Sequence, residues 1–188
     1  MVPAALTPRR AVDADLPTLA IVLGDAFLDY PWTRWTVPGA DLRERLIEIQ
    51  QEYLVHAAAH GGRIWTTEGL DAVAVLVPAS LPDPSPEVAE RIVTLHGDGW
   101  QRVVDHEIAA GPLRPEADWL LATVGVDPAR QGHGLGTVVL EAALADRPDA
   151  RVLLETSSAA NVRLYERLGF HVVEHLTGAG PDVWVMLR

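Results

Sequence analysis

The chain has 188 residues, 48% of them hydrophobic, no cysteine and a formal net charge of −11. That length suits a single domain over residues 1–188 with a core of ordinary size, and the apolar content excludes a disordered chain. Without cysteine there are no disulfides, thiolate metal sites or cysteine nucleophile, and the acidic balance argues against a nucleic-acid partner.

No apolar run approaches the ~20 residues that a membrane span needs. Residues 1–10 have no long apolar region before their arginines, so they do not read as a secretory signal. The expectation is a cytoplasmic protein without a membrane partner, a monomer or a homodimer. Negative charge of this size steers cationic ligands such as amines toward the chain.

Residues 9–12 read as the end of a first strand. A helix follows from Asp13 or Asp15, with Pro17 tolerated in its first turn and Leu16, Leu19, Ala20, Leu23 and Phe27 on its apolar face. Pro31 is expected to stop that helix and to open an aromatic loop holding Tyr30, Trp32 and Trp35. Residues 41–59 show helical spacing at Leu42, Leu46, Ile49 and Tyr53, with Asp41 in the cap position and Gly61-Gly62 as the stop. Residues 64–67 and 72–77 read as the two strands of a hairpin.

The proline-rich residues 78–86 form an internal loop. Residues 87–108 are helical, with a break at Gly97-Asp98-Gly99. Residues 119–126 are predicted as the central strand, buried on both faces. A helix over 135–146, a strand over 151–155, a helix from Ser157 or Ser158 to Gly169, and two strands over 170–176 and 182–187 complete the chain. The order mixes helices and strands and gives an α/β (α+β) sheet layered with helices.

The informative stretch is 123–137. Asp127-Pro128 ends the strand, Gly132, Gly134 and Gly136 alternate, and Leu135, Val138, Val139, Ala142 and Ala143 fall on one helical face. Free N–H groups then cluster at a helix N-terminus, a site for phosphate or another anion. The glycines alone fit a tight strand-to-helix turn equally well. Their spacing is not G-x-G-x-x-G, and no Lys-Ser/Thr follows a glycine, so neither a dinucleotide fold nor an NTPase loop is supported.

The spacing Gln131-x-x-Gly134-x-Gly136, preceded by Thr123-Val124-Gly125-Val126-Asp127-Pro128, resembles the acetyl-CoA pyrophosphate loop of the GNAT superfamily of N-acetyltransferases. A second block, Leu154-Glu155-Thr156-Ser157 through Asn161, Tyr165 and Phe170, resembles that superfamily's next signature. Within it, the blocks around Phe27-x-Asp29-Tyr30-Pro31, Leu120 to Val126 and Tyr165 to Phe170 resemble the puromycin N-acetyltransferases. The chain departs from them at His133, Trp32 and Trp35 and lacks their proline ahead of Tyr165.

The resemblance implies a GNAT fold, with a mixed, mostly antiparallel central sheet of six to seven strands flanked by helices. It implies acetyl-CoA as co-substrate, no metal, and transfer of the acetyl group to a primary amine of a small molecule, such as a puromycin-like aminonucleoside or another antibiotic. A protein or peptide amine, or a non-catalytic acyl-CoA-binding role, are the alternatives.

By the same resemblance, Gln131, Gly132, His133, Gly134, Leu135, Gly136 and Thr137 hold the pyrophosphate. Val124 and Val126 pair with the pantetheine arm, Gly125 leaves room for it, and Asn161 bonds the coenzyme. Tyr165, four residues after Asn161 and on the same helix face, protonates the departing thiolate. Tyr30, Trp32 and Trp35 border the acceptor site. Glu155 is the first choice for the base that acts on the amine, with Asp29, Glu48, His96, His106 and His133 as alternatives.

Overall fold

Side chains of Ala72–Pro78 alternate between two cores. Ala72, Ala74 and Leu76 join one apolar cluster, and Val73, Val75 and Val77 join the other. A strand with its two-residue period behaves this way when helices cover both faces of its sheet. The computed structural model describes residues 7–188. Residues 1–6, part of the segment read above as lacking a secretory signal, lie outside the described residues.

The strands are β1 (Pro8–Arg10), β2 (Arg63–Thr67), β3 (Ala72–Pro78), β4 (Trp119–Val126), β5 (Val152–Thr156), β6 (His171–Leu176) and β7 (Val183–Leu187). They form one seven-stranded sheet in the order β1-β2-β3-β4-β5-β7-β6. Every neighbouring pair is antiparallel except β4 and β5. The helices are α1 (Leu16–Ala26), α2 (Pro31–Thr36), α3 (Leu42–Ala59), α4 (Pro86–His96), α5 (Trp100–Ala110), α6 (Leu135–Ala145) and α7 (Ala159–Arg167).

Leu19, Leu23 and Leu54 of α1 and α3 pack on one face of the sheet. Val139, Leu140 and Tyr165 of α6 and α7 pack on the other. Among the described residues, no helix is long and apolar enough to cross a membrane.

Three expectations change. Pro31 begins a helix rather than opening a loop: it occupies the first turn of α2, where its missing N–H would be unpartnered anyway. Asp41 precedes α3 but does not cap it; its backbone is left-handed (φ 53°) and its side chain bonds no helix N–H. The doubly buried strand is β3, not β4. On β4, Leu121 is buried but Ala122 is exposed, because the register against β3 slips there: Val75 faces Thr123 while Leu76 faces Leu121. The extra residue is a β-bulge, which bends and twists its strand.

The break at residues 97–99 is a single 3₁₀ turn, as the glycines suggested. A side chain at Gly99 would collide with the carbonyl oxygen of Thr36, so this glycine lets α2 dock against the α4–α5 corner.

Candidate active site

The site begins where β4 and β5 part. The two strands pair only at Trp119 with Val152 and Leu120 with Leu153. Past the bulge they diverge, and the far half of β4 has a partner on the β3 side alone. The N–H of Asp127 donates to the carbonyl of Asp71 at 2.8 Å. Hydrogen-bonding direction alternates along an antiparallel pair, so the backbone groups of Val124 and Val126 turn away from β3 into the gap. An extended chain lying there would find a strand edge to pair with.

At the mouth of the gap, Asp127 accepts a hydrogen bond from the N–H of Ala129 at 2.8 Å and closes a 3₁₀ turn. Beyond it, no backbone N–H from residue 131 to 137 donates to another described residue. Gly132 and Gly134 both have φ +79°, and a Cβ at either would meet nothing within 4 Å. The row of donors is therefore open, and it runs into the positive end of α6, a cradle for an anion.

Leu135, 1% exposed, anchors the helix in the core and contributes only its backbone N–H to the loop. A Cβ at Gly136 would lie 3.3 Å from Val126, so α6 sits tightly against the strand, and Thr137 closes the first turn half-buried. The side chain of Gln131 donates to the carbonyl of Val126 at 3.3 Å and ties the loop to β4. The His133 ring folds back on its own loop, with Nδ1 2.9 Å from the carbonyl of Gln131. Gly125 serves packing, since a Cβ there would meet Leu23 at 2.8 Å and Ala26 at 3.3 Å. The room it leaves is taken by α1.

On the α1–α3 side of the gap lies a cavity of about 450 Å³. Its wall is mostly apolar and aromatic, with Phe27, Tyr30, Trp32 and Tyr53 beside Leu54 and Val75. It also reaches Val124 on the β4 edge, Glu155 and Thr156 at the end of β5, and Asn161 and Tyr165 on α7. Of the three residues expected to border the acceptor site, Tyr30 and Trp32 line this cavity and Trp35 does not. It packs on Gly180, edge-on to Trp32, with Arg102 stacked over it and donating to its carbonyl.

The Tyr30 hydroxyl is held at both ends of a short relay. It lies 2.9 Å from Thr156 Oγ1 and accepts from the Ser157 N–H at 2.6 Å, so the α1–α2 corner is stitched to β5. The Trp32 N–H adds a bond to Ser157 Oγ at 3.2 Å.

Asn161 donates from Nδ2 to Thr156 Oγ1 at 3.5 Å. One turn on, Tyr165 is 8% exposed and stands edge-on to Phe170 at 5.8 Å. Its hydroxyl bonds no described residue. Burial, with Tyr30 nearby, pushes the phenol well above its ordinary value, so it stays protonated at neutral pH.

Both oxygens of Glu155 are engaged. Arg114 Nε donates to its Oε1 at 2.6 Å, and His106 Nε2 lies 2.8 Å from its Oε2. Arg114 grips Glu107 with its two remaining nitrogens at 2.6 and 2.8 Å. Burial would push the Glu155 carboxyl up, but the hydrogen bonds from His106 and Arg114, with the Arg114 charge, outweigh it and hold the group below the usual carboxylate value.

The other candidate bases are elsewhere. Asp29 is exposed, Glu48 pairs with Arg91 at 2.9 Å, and His96 is buried with Nδ1 on the Ile92 carbonyl at 2.9 Å. None of the three lines the cavity. His106, by contrast, lines the cavity, with its side chain only 9% exposed. The signal was there: Val103, His106, Glu107 and Ala110 follow the i, i+3, i+4, i+7 stripe of α5. Arg114, in the following loop, carried no such pattern.

Residues 89–172 match the family model described as an acetyltransferase (GNAT) domain. That segment, a little under half of the chain, is similar to a GNAT acetyltransferase domain. Over 88 residues, 44% of the chain, it is 41% identical to a mycothiol acetyltransferase of Thermobispora bispora, and the match spans 28% of that protein's length. The fold is similar to a histone acetyltransferase HPA2 and related acetyltransferase of Corynebacterium glutamicum, with TM-score 0.75, 25% identity and coverage of 97% of this chain and 94% of that one. It is also similar in fold to a polyamine N-acetyltransferase of Drosophila melanogaster, with TM-score 0.60 and 19% identity over 97% and 98% of the two chains. GNAT acetyltransferases use acetyl-CoA. The row of unpartnered N–H groups and the open faces of Gly132 and Gly134 suit a pyrophosphate such as that of acetyl-CoA.

Proposed function

We propose that this chain, as one domain over residues 1–188, moves an acetyl group from acetyl-CoA to the primary amine of a small molecule by direct attack in a ternary complex. One observation carries the reading: the apolar cavity and the gap in the sheet meet at Val124, Thr156, Asn161 and Tyr165. A donor held along the β4 edge and an acceptor in the cavity would face each other there, which removes most of the entropic cost of their encounter.

Residues 131–137 hold the pyrophosphate through backbone N–H groups, and Val124 and Val126 pair with the pantetheine arm. Bound acetyl-CoA supplies an activated thioester. Tyr165 gives its proton to the sulfur that leaves, and Asn161 steadies the same corner. An alkyl ammonium has a pKa near ~10, so only about one molecule in a thousand is neutral at pH 7. The Glu155 end of the cavity is the polar corner where a proton can be taken.

A cavity of about 450 Å³ with aromatic walls suits a small amine with an apolar body, held by Tyr30 and Trp32. The sequence blocks shared with puromycin N-acetyltransferases favour an aminonucleoside within that class. Turnover of puromycin would make antibiotic inactivation the biological role, and a cytoplasmic location, where acetyl-CoA is made, follows from the same reading. The identity to mycothiol acetyltransferases favours a mycothiol-related acceptor as the second reading.

The test is a panel of puromycin, phenylethylamine, agmatine, a mycothiol precursor amine and a short peptide, incubated with acetyl-CoA. Free CoA is separated and quantified by chromatography. Amine-dependent CoA release from a small molecule supports the proposal. Release with the peptide alone, or acetyl-CoA binding with no turnover, rejects it in favour of a peptide acetyltransferase or a non-catalytic acyl-CoA-binding module.

A further inference from the structure

Both oxygens of Glu155 are occupied, one by Arg114 and one by His106. A carboxylate in that state carries no proton, so the hydrogen between it and His106 sits on Nε2 of the imidazole. The lone pair of the ring is then on Nδ1. That atom makes no hydrogen bond to a described residue, yet it is not among the buried unpartnered atoms, so it is reachable from outside the protein.

Two other histidines, both at helix C-termini, fold back on their own helix. Nδ1 of His96 sits 2.9 Å from the carbonyl of Ile92, and Nδ1 of His60 sits 2.8 Å from that of His56, each four residues back. His106 makes no such bond, because its ring is swung off its own helix toward Glu155 and is braced edge-on by Trp32 at 4.5 Å. The ring forms part of the cavity wall.

We propose that His106 Nδ1 takes the proton from the acceptor amine and that Glu155 is a positioning residue that fixes the imidazole's tautomer and orientation. The proposal deepens the acetyl-transfer reading and rests on it. The charged and titratable groups around the ring are Glu155 from β5, Arg114 from the loop after α5, Glu107 from α5, and the phenols of Tyr30, Tyr53 and Tyr165 across the cavity. Of the carboxylates, Glu107 is clamped by Arg114 through both oxygens, and each oxygen of Glu155 already accepts one hydrogen bond.

The step balances. One proton of the ammonium passes to Nδ1. The amine nitrogen bonds to the acetyl carbon as the carbon–sulfur bond breaks. The Tyr165 proton goes to sulfur, a second nitrogen proton restores the phenol, and the imidazolium later loses its proton to solvent. Arg114 keeps the Glu155 charge in place while the imidazolium exists, the arrangement by which a buried carboxylate stabilises a protonated histidine.

The test has two arms. In the first, two-bond ¹H–¹⁵N correlation spectra of the full chain, with His106 assigned by loss of its signals in His106→Gln, report the tautomer. The expected result is a proton on Nε2 in the wild type. In Glu155→Gln the amide NH₂ turns toward Nε2 and shifts the proton to Nδ1. A wild-type proton on Nδ1 overturns the proposal.

In the second arm, the best amine of the panel is compared with an arylamine that is already neutral at pH 7. His106→Gln should lower kcat for the alkyl amine by roughly 10²–10⁴ but for the arylamine by less than about tenfold, with the acetyl-CoA Kd unchanged. Equal losses for both amines, or a loss under about threefold for the alkyl amine, overturn the base assignment alone. Absence of turnover with every amine overturns the acetyl-transfer reading and this one with it.

Discussion

Replacing Gly134 by alanine separates a turn from a binding site. The residue is left-handed, with φ +79° and ψ 2°, and a methyl group there would touch nothing within 4 Å. The cost to the free protein is therefore conformational: about 1–2 kcal/mol for an L-residue in that region, or a fall of roughly 2–8 °C in Tm for a chain of this size. That strain is present with and without ligand, so it cancels in the binding equilibrium.

A ligand changes the picture. A methyl in that open space would compete with a pyrophosphate seated on the row of unpartnered N–H groups at residues 131–137, which would then move away from one or more donors. Hydrogen bonds to charged groups are worth about 1.5–3 kcal/mol each, which converts to a weakening of roughly 10- to 150-fold. Isothermal titration with acetyl-CoA and a thermal melt of the same sample measure both quantities. A lowered Tm with Kd within about twofold would refute the reasoning and leave Gly134 as a turn glycine only.

Other substitutions probe the remaining pieces. Tyr165→Phe should lower kcat by roughly 10²–10⁴ with acetyl-CoA affinity within about twofold, because the lost hydroxyl bonds no described residue; an unchanged kcat in a thiol-release assay removes the acid role. Trp32→Ala should raise the amine KM by about tenfold or more, whereas Trp35→Ala, outside the cavity, should lower Tm while leaving KM within about twofold. Gly99→Ala should cost about 3 kcal/mol or more, since its methyl meets a carbonyl oxygen and not a flexible side chain; a Tm within about 2 °C of the wild type would show that α2 can shift freely.

Glu155→Gln bears on acid stability. The folded carboxyl sits below its ordinary value, so its contribution is present above the unfolded carboxylate value of about 4.3 and is lost as pH falls through the folded value. Urea unfolding should show the variant about 1–3 kcal/mol less stable at pH 7, with the gap narrowing near pH 3. A gap that holds constant with pH contradicts that linkage.

Local chemistry made much of the molecule legible in advance. Proline and glycine positions, the short apolar run of β3 and the 3.6-residue period of α1, α3 and α6 act within a few residues of one another, and the elements they predict are present. The anion loop was readable for the same reason: Asp127-Pro128, Gly132 and Gly134 set the backbone of a short stretch by themselves. At Pro31 the same local reading misled, because a proline that ends one helix can equally occupy the first turn of the next.

The acceptor side was settled elsewhere. The gap that exposes the edge of β4 comes from a bulge at Ala122 and from a strand, β5, that is remote in sequence. Trp32 and Trp35 are near neighbours in sequence and only one lines the cavity, because the docking of α2 on α5 decides which ring turns inward. His106, Arg114 and Glu155 come from a helix, a loop and a strand end up to 49 positions apart, and no periodicity couples such positions. Sequence alone determined the donor loop, because backbone conformation there is a local property. Tertiary structure alone decided which groups surround the amine, because burial and pairing depend on elements that meet only after the chain has folded.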